Sequence, residues 1–239
     1  MPVRWRRILV KLSGEAFAGN HTFGFDFPTI DRLAREIADV RSEGVQVAVV
    51  VGGGNVMRGL TASQAGMERV VADQIGMLAT IQNALAMQDA LERIGVDTRV
   101  QTAVGMTAVA EPTIRRRAIR HLEKGRVVLL AGGTGNPFFS TDTAAALRAL
   151  ELGAEALLKA TNVDGVYDSD PRTNPGAQRY KTVSYAECMQ RQLSVMDMAA
   201  FSLCEDNDLP IVVFSLAKPG NIRAVLLDDT IGTIVRRTP

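Results

Sequence analysis

The chain has 239 residues, 46% hydrophobic but only 5% aromatic, so its core must be built from Val, Leu, Ile, Ala and Met. That length suits one large α/β domain or two small ones. With 27 basic against 26 acidic residues the net charge is +1, which argues against general binding to nucleic acid or to an anionic membrane. The basic cluster at 4–7 reads as a solvated strand entry. Cys188 and Cys204 show no CxxC spacing and His21 and His121 are the two histidines, so neither a disulfide framework nor a zinc site is expected. No apolar segment is long enough for a signal peptide or a membrane span, and a soluble, cytoplasmic protein is expected.

In chain order, a first apolar run, ILVKLSG at 8–14, reads as a buried strand closed by glycine. Residues 29–40 then place Ile30, Leu33, Ala34, Ile37 and Val40 on one helical face, and Gly44 ends that helix. A second strand starts at Val45 and runs into GGGN. Residues 64–94 form a long helical region rich in Ala, Met, Leu and Gln. A strand is expected at 97–104 and a helix at 112–124, opened by Pro112 and closed by Gly125. The third apolar run, from Val127, ends in GGTGNPFFSTD. A helix at 143–152 and a strand at 156–159 follow. Residues 161–176 are rich in turns, with an Asp-Gly step and Asp-Pro and Asn-Pro steps. Two shorter helices (185–190 and 196–206), a strand (211–214), a helix begun by Pro219 and a strand (233–235) complete the pattern.

This alternation predicts an α/β fold with a mainly parallel sheet and helices on both faces. No repeat or linker divides the chain. A single domain is expected, with an N-terminal lobe over about 1–155 and a C-terminal lobe over about 156–239.

Three of the apolar runs end in glycine and polar residues. Such loops let backbone N–H groups approach a phosphate, while the following helix aims its positive end at it. Three together predict several phosphates gathered along one sheet edge, the arrangement of phosphoryl transfer on a nucleotide. Neither G-x-x-x-x-G-K-[ST] nor the G-x-G-x-x-G fingerprint fits these loops, so the nucleotide site belongs to another architecture. Lys11 ends a buried apolar run, where an ammonium is costly without an anion, and is expected to meet a phosphate. Ser13 and Gly14 can donate to the same group. Arg58 follows the second loop with a planar fork suited to phosphate oxygens. Asp73, in the long helix, reads either as a surface carboxylate or as an acceptor for sugar hydroxyls. The segment 134–142 combines amide, hydroxyl and aromatic groups suited to a flat polar base, although Phe138 and Phe139 equally suit a core.

Taken together, KLSGE (11–15), VVVGGGNVMRG (49–59), DQIGMLATIQNALAM (73–87), GGTGNPFFSTDTAA (132–145), LKATNVDGVYDSDP (158–171) and VMDMAAF (195–201) resemble the uridylate kinase branch of the amino acid kinase family. The resemblance implies a three-layer αβα sandwich and transfer of the ATP γ-phosphate to UMP with Mg²⁺, in pyrimidine nucleotide biosynthesis. It also implies a homohexamer activated by GTP and inhibited by UTP. Carried over by position, Lys11, Leu12, Ser13, Gly14, Gly54 and Arg58 line the ATP phosphates, and Thr161, Tyr167 and Asp170 hold its adenosine part. Gly53, Asp73, Thr134, Gly135, Asn136, Pro137, Phe138, Phe139, Ser140 and Thr141 bind UMP, which assigns UMP to the N-terminal lobe and ATP to the C-terminal one. Lys11 and Arg58 act in catalysis, and Asp197 is a candidate for organising the catalytic lysine or the metal. Gly19, Asn20, His21, Thr22, Phe23 and Gly24 match the region tied to allosteric control. Ser140 stands where threonine is common and keeps the hydroxyl. Two other readings are an acetylglutamate- or aspartate-type kinase forming an acyl phosphate, and a nucleotide sensor without catalysis.

Overall fold

The computed structural model describes residues 3–57, 66–171, 173–174, 176–193 and 196–238. Strand β1 (Arg7–Leu12) leads through the short helix α1 (Glu15–Ala18) to α2 (Phe27–Ser42) and β2 (Gln46–Val51). Helix α3 (Arg69–Arg93), β3 (Thr98–Thr102), β4 (Glu111–Pro112), α4 (Arg115–Glu123) and β5 (Val127–Ala131) follow. Then come α5 (Thr141–Leu152), β6 (Ala156–Thr161), β7 (Thr182–Ser184), α6 (Tyr185–Gln190) and α7 (Met198–Asp206). Strand β8 (Ile211–Ser215), α8 (Asn221–Leu227) and β9 (Thr233–Arg236) end the sequence of elements.

The nine strands form one sheet in the order β4-β3-β5-β2-β1-β6-β8-β9-β7. Every pairing is parallel except β8 with β9, which is antiparallel. The three strands that precede the glycine loops are neighbours in the centre of that order, β5-β2-β1. Because they run parallel, their loops emerge on one edge, as the sequence pattern predicts.

Alternation along the strands divides the core into two apolar layers. Ile8, Val10 and Leu12 of β1 face the layer built with α2, α3 and α8, where Leu33, Ile37, Met87, Leu91 and Val225 are buried. Leu9 points the other way, into the layer built with α4, α5, α6 and α7, among Leu122, Ala149, Tyr185, Phe201 and Cys204. The result is the expected αβα sandwich. Both thiols are buried, which pushes Cys188 and Cys204 up to about 12 and leaves them unreactive.

Two of the differences from the sequence expectation have a clear local cause. Pro112 does not open a helix: it pairs with Thr102 in β4, an edge strand. Proline is tolerated there because its missing N–H faces away from the ladder. The following helix starts at Arg115 instead. Helix α5 begins at Thr141, two residues earlier than the apolar pattern implies, because Ser140 caps it by accepting Asp142 N–H at 3.0 Å and Thr143 N–H at 3.1 Å.

Candidate active site

The loops after β1 and β2 touch through backbone. A Cβ on Gly14 would overlap the Gly54 nitrogen, and one on Gly52 would sit 2.7 Å from the Gly14 nitrogen. Glycine is therefore required where the two turns cross. Behind them, a Cβ on Gly53 would lie 2.7 Å from the Gly76 carbonyl, so α3 backs the same loop. Arg58, expected to follow it with its fork toward phosphate, lies outside the described residues.

Lys11 lies within the buried run of β1, one residue before its end, and is 8% exposed. Its ammonium meets Asp142 Oδ1 at 2.9 Å, and Lys159 of β6 donates to Asp142 Oδ2 at 2.6 Å. One carboxylate thus bridges two cations at the head of α5. Burial works to raise the Asp142 carboxyl, but Lys11 and Lys159 outweigh it and hold the group below the usual carboxylate range. Burial lowers the Lys159 ammonium below the usual lysine range; Asp142 opposes that shift, and the Lys11 charge adds to it.

In the sequence Asp142 stands out only as the end of the 134–142 segment and Lys159 not at all, although one signal was present. ALLKAT sets a lysine in a buried run much as ILVKLS does at Lys11. The carboxylate in contact with Lys11 is Asp142, whereas Asp197 serves the helix ends. Asp197 caps α7 by accepting Ala200 N–H at 2.9 Å, accepts Thr143 Oγ1 at 2.9 Å and receives a short hydrogen bond from Ser140 Oγ. It braces the start of α5 from outside and so steadies Asp142.

On the β5–β2 side a cleft of about 130 Å³ is lined by Gly53, Asp73, Met77, Thr134, Asn136, Phe139 and Thr141, among others. Asp73 faces this cleft, its side chain only 15% exposed. Its Oδ2 accepts Arg69 Nε at 2.8 Å and the Phe138 N–H at 2.8 Å. The loop after β5 is anchored by Thr80, whose Oγ1 accepts the Gly132 N–H at 2.7 Å. Within it, Thr134 Oγ1 lies 3.2 Å from both the N–H and the carbonyl of Asn136. Phe138 and Phe139 are exposed, 66% and 54%, and do not enter the core.

Beyond β6 a second, wider cleft of about 460 Å³ is lined by Tyr167, Asp168, Asp170, Pro171 and Leu193, among others. Tyr167 Oη donates to Asp164 at 2.7 Å. Thr161, expected to share this region, ends β6 and donates its hydroxyl to the Val163 carbonyl at 2.8 Å. In strand order Lys11 (β1) and Lys159 (β6) fall between the elements that carry the two clefts.

Among the described residues no group of three or more His, Cys, Asp and Glu side chains comes together as a metal cage. The carboxylates beside the lysines are already engaged, so a divalent ion here would be carried mainly by the phosphates of a nucleotide.

The sequence matches the amino acid kinase family over residues 6–215. Among solved structures, a UMP kinase from Bacillus anthracis superposes with a TM-score of 0.95 at 39% identity, covering 98% of this chain and 97% of its own. A UMP kinase from Ureaplasma parvum does so with 0.92 at 36% identity, covering 98% and 100%. The uridylate kinase of Archaeoglobus fulgidus gives 0.74 at 29% identity, covering 95% and 99%. With the family's match spanning most of the chain and the parallel sheet carrying its glycine loops on one edge, the protein belongs to the amino acid kinase family.

Proposed function

We propose that this enzyme transfers the γ-phosphoryl group of ATP to UMP, giving ADP and UDP in pyrimidine nucleotide metabolism. The observation that carries the reading is the Lys11–Asp142–Lys159 bridge on strands flanked by two clefts. The smaller cleft is lined by residues between 53 and 141, the larger by residues between 163 and 193. That division supports an N-terminal lobe over about 1–155 for UMP and a C-terminal lobe over about 156–239 for ATP.

The UMP phosphate oxygen is already nucleophilic, so the site has to align two phosphates and neutralise charge. Asp73 accepts hydrogen bonds from the UMP ribose, and Thr134 and Asn136 present polar groups to the base. Tyr167, Asp170 and the Leu193 side of the wider cleft receive the adenosine part of ATP. Gly14, Gly53 and Gly54 bring backbone N–H groups toward the phosphates, and Lys11 follows the charge that builds on the transferred group. Asp142 holds Lys11 and Lys159 in fixed positions, so no reorganisation is needed as the phosphoryl group moves. A magnesium ion bound with ATP supplies further neutralisation of the phosphates. Arg58 completes the cationic set in this reading.

Helix α3 supports assembly into a homohexamer. It buries Ala84, Met87 and Leu91 on its own sheet and still exposes Val71 and Leu78, more apolar surface than one face needs. Control by GTP as activator and UTP as inhibitor fits the segment Gly19–Gly24, which borders an open cavity reached by Asn55. Among the described residues no helix is long and apolar enough to cross a membrane; a place in the cytoplasm, beside the nucleotide pool, is part of the proposal itself.

The deciding experiment is a coupled ADP-release assay with UMP, CMP, AMP, GMP and N-acetylglutamate offered in turn. UMP-dependent ADP formation that exceeds all the others is expected. Turnover with N-acetylglutamate, or none with any acceptor, would overturn the assignment.

A further inference from the structure

Behind the glycine loop, two asparagines are buried face to face. Asn83 on α3 is fully buried and Asn55 is 2% exposed. Asn83 Nδ2 donates to the Gly52 carbonyl at 2.6 Å and to Asn55 Oδ1 at 2.7 Å. Asn55 Nδ2 returns a bond to Asn83 Oδ1 at 3.0 Å and donates to the Gly24 carbonyl at 2.9 Å. The Gly24 N–H closes the ring on the Asn55 carbonyl at 2.9 Å. Both amide donors of each residue are used, which fixes the orientation of both groups: turning either would set oxygen against oxygen.

This pair joins three segments that share no strand ladder: the loop at 52–55, helix α3 and the corner at Gly24. Such a buried, fully satisfied polar node is directional where hydrophobic packing is not. Apolar contacts between α3 and the sheet carry no such direction. The amide bonds instead set the Gly52 carbonyl, and with it the aim of the Gly53 and Gly54 N–H groups that follow.

Building on the phosphoryl-transfer reading above, we propose that Asn83, acting through Asn55, is a positioning residue that aligns the 52–55 loop for the reacting phosphates. It touches no nucleotide in that reading, since the UMP cleft is bounded by Gly53, Gly76, Met77 and Thr80 rather than by Asn83. Any displacement of α3 is passed directly to the loop and to the Gly24 corner.

The test uses the full chain with Asn83→Asp, which keeps the shape but sets a carboxylate oxygen against the Gly52 carbonyl, and Asn83→Ser, which keeps a smaller polar group. Single-turnover rates are measured per folded active site, UMP dissociation constants by calorimetry and amide exchange on peptides covering 47–57. Misalignment of this kind costs up to about 10²-fold, so a rate loss of about 10- to 100-fold is expected with UMP affinity held within about threefold. Asn55→Ser/Asn83→Ser should lose little more than either single change, because both act through one node. Faster exchange at 47–57 is expected in each variant, with peptides covering 132–141 unchanged.

Rates within about twofold of the parent, or a loss of UMP affinity matching the loss of rate, would overturn the positioning role. Should Asn83→Asp fail to fold, Asn83→Ser carries the same measurements. Exchange is read without substrate: an unchanged 47–57 segment overturns the proposal even where the parent phosphorylates UMP. Faster exchange at 47–57 in the variants than in a parent that does not phosphorylate UMP overturns the kinase assignment alone and leaves the node standing.

Discussion

The Asp73 carboxylate and the backbone of Phe138 meet at 2.8 Å, although they lie 65 residues apart in the chain. Phe138 adopts φ 71, a conformation rare for a bulky residue, and the bond to Asp73 helps to hold it there. Arg69 completes the clasp, bound to the same Asp73 oxygen at 2.8 Å with its guanidinium 5.7 Å above the Phe138 ring. One oxygen of Asp73 therefore holds the loop, and the other is directed to the substrate in the proposed reading.

Asp73→Asn should raise the KM for UMP by about tenfold, because a neutral amide accepts sugar hydroxyls less strongly than a carboxylate. The KM for ATP should stay unchanged. Steady-state kinetics with each substrate varied in turn provides the check, and an unaltered UMP dependence would return Asp73 to a purely structural role.

Lys11→Ala and Asp142→Asn should fail differently. Loss of the Lys11 charge removes transition-state stabilisation worth about 3–4 kcal/mol, so turnover falls by about 10²- to 10³-fold while UMP binding and folding change little. Asp142→Asn leaves two buried ammonium groups without their shared partner, a loss of about 3 kcal/mol of stability, or about 6–12 °C in Tm. Thermal melts set beside stopped-flow turnover separate the two. A Lys11 variant with near-parent turnover would remove it from the chemistry.

The alkaline side of the rate profile should be set by Lys159. Its ammonium is held below the usual lysine range, chiefly by burial, so it loses its proton at a lower pH than an ordinary lysine. Below that point the charge is present and turnover is full; above it the charge and the activity decline together. Lys159→Arg, which keeps its charge at every accessible pH, should move the alkaline limb upward. A limb that stays in place in that variant would assign it to another group.

Base preference should reside in the loop that carries Thr134 and Asn136. A pocket built on hydrogen bonds rejects the wrong base by leaving its own polar groups unpaired. Thr134→Val with Asn136→Leu should therefore lower the ratio of kcat/KM for UMP over CMP by about tenfold or more, at about 1–3 kcal/mol per unsatisfied group. A ratio that survives both changes places base recognition elsewhere.

What the sequence made legible was local. Strands β1, β2 and β5 follow from runs of apolar residues closed by glycine, and α2 follows from the spacing of Ile30, Leu33, Ile37 and Val40. The contacts at the centre are not local. Nothing near Lys11 announces that its partner is Asp142, because that meeting depends on β1 lying beside β6 and on Ser140 starting α5 where it does. Phe138 and Phe139 suited a core by composition, yet the Asp73 clasp turns their loop outward. Pro112 carries the signature of a helix start and instead ends up at the sheet edge, where only tertiary placement decides.

The carboxylate shared by two lysines also bears on how long products stay. Lys11, Asp142 and Lys159 together present one net positive charge to a departing diphosphate. A second uncompensated ammonium at about 4 Å, at an effective dielectric constant of about 20, would add about 4 kcal/mol of attraction and lengthen dwell time by about 10³-fold. In the proposed reading, Asp142 cancels one cation and so keeps the centre sticky enough to gather polyphosphates and loose enough to let them go between cycles.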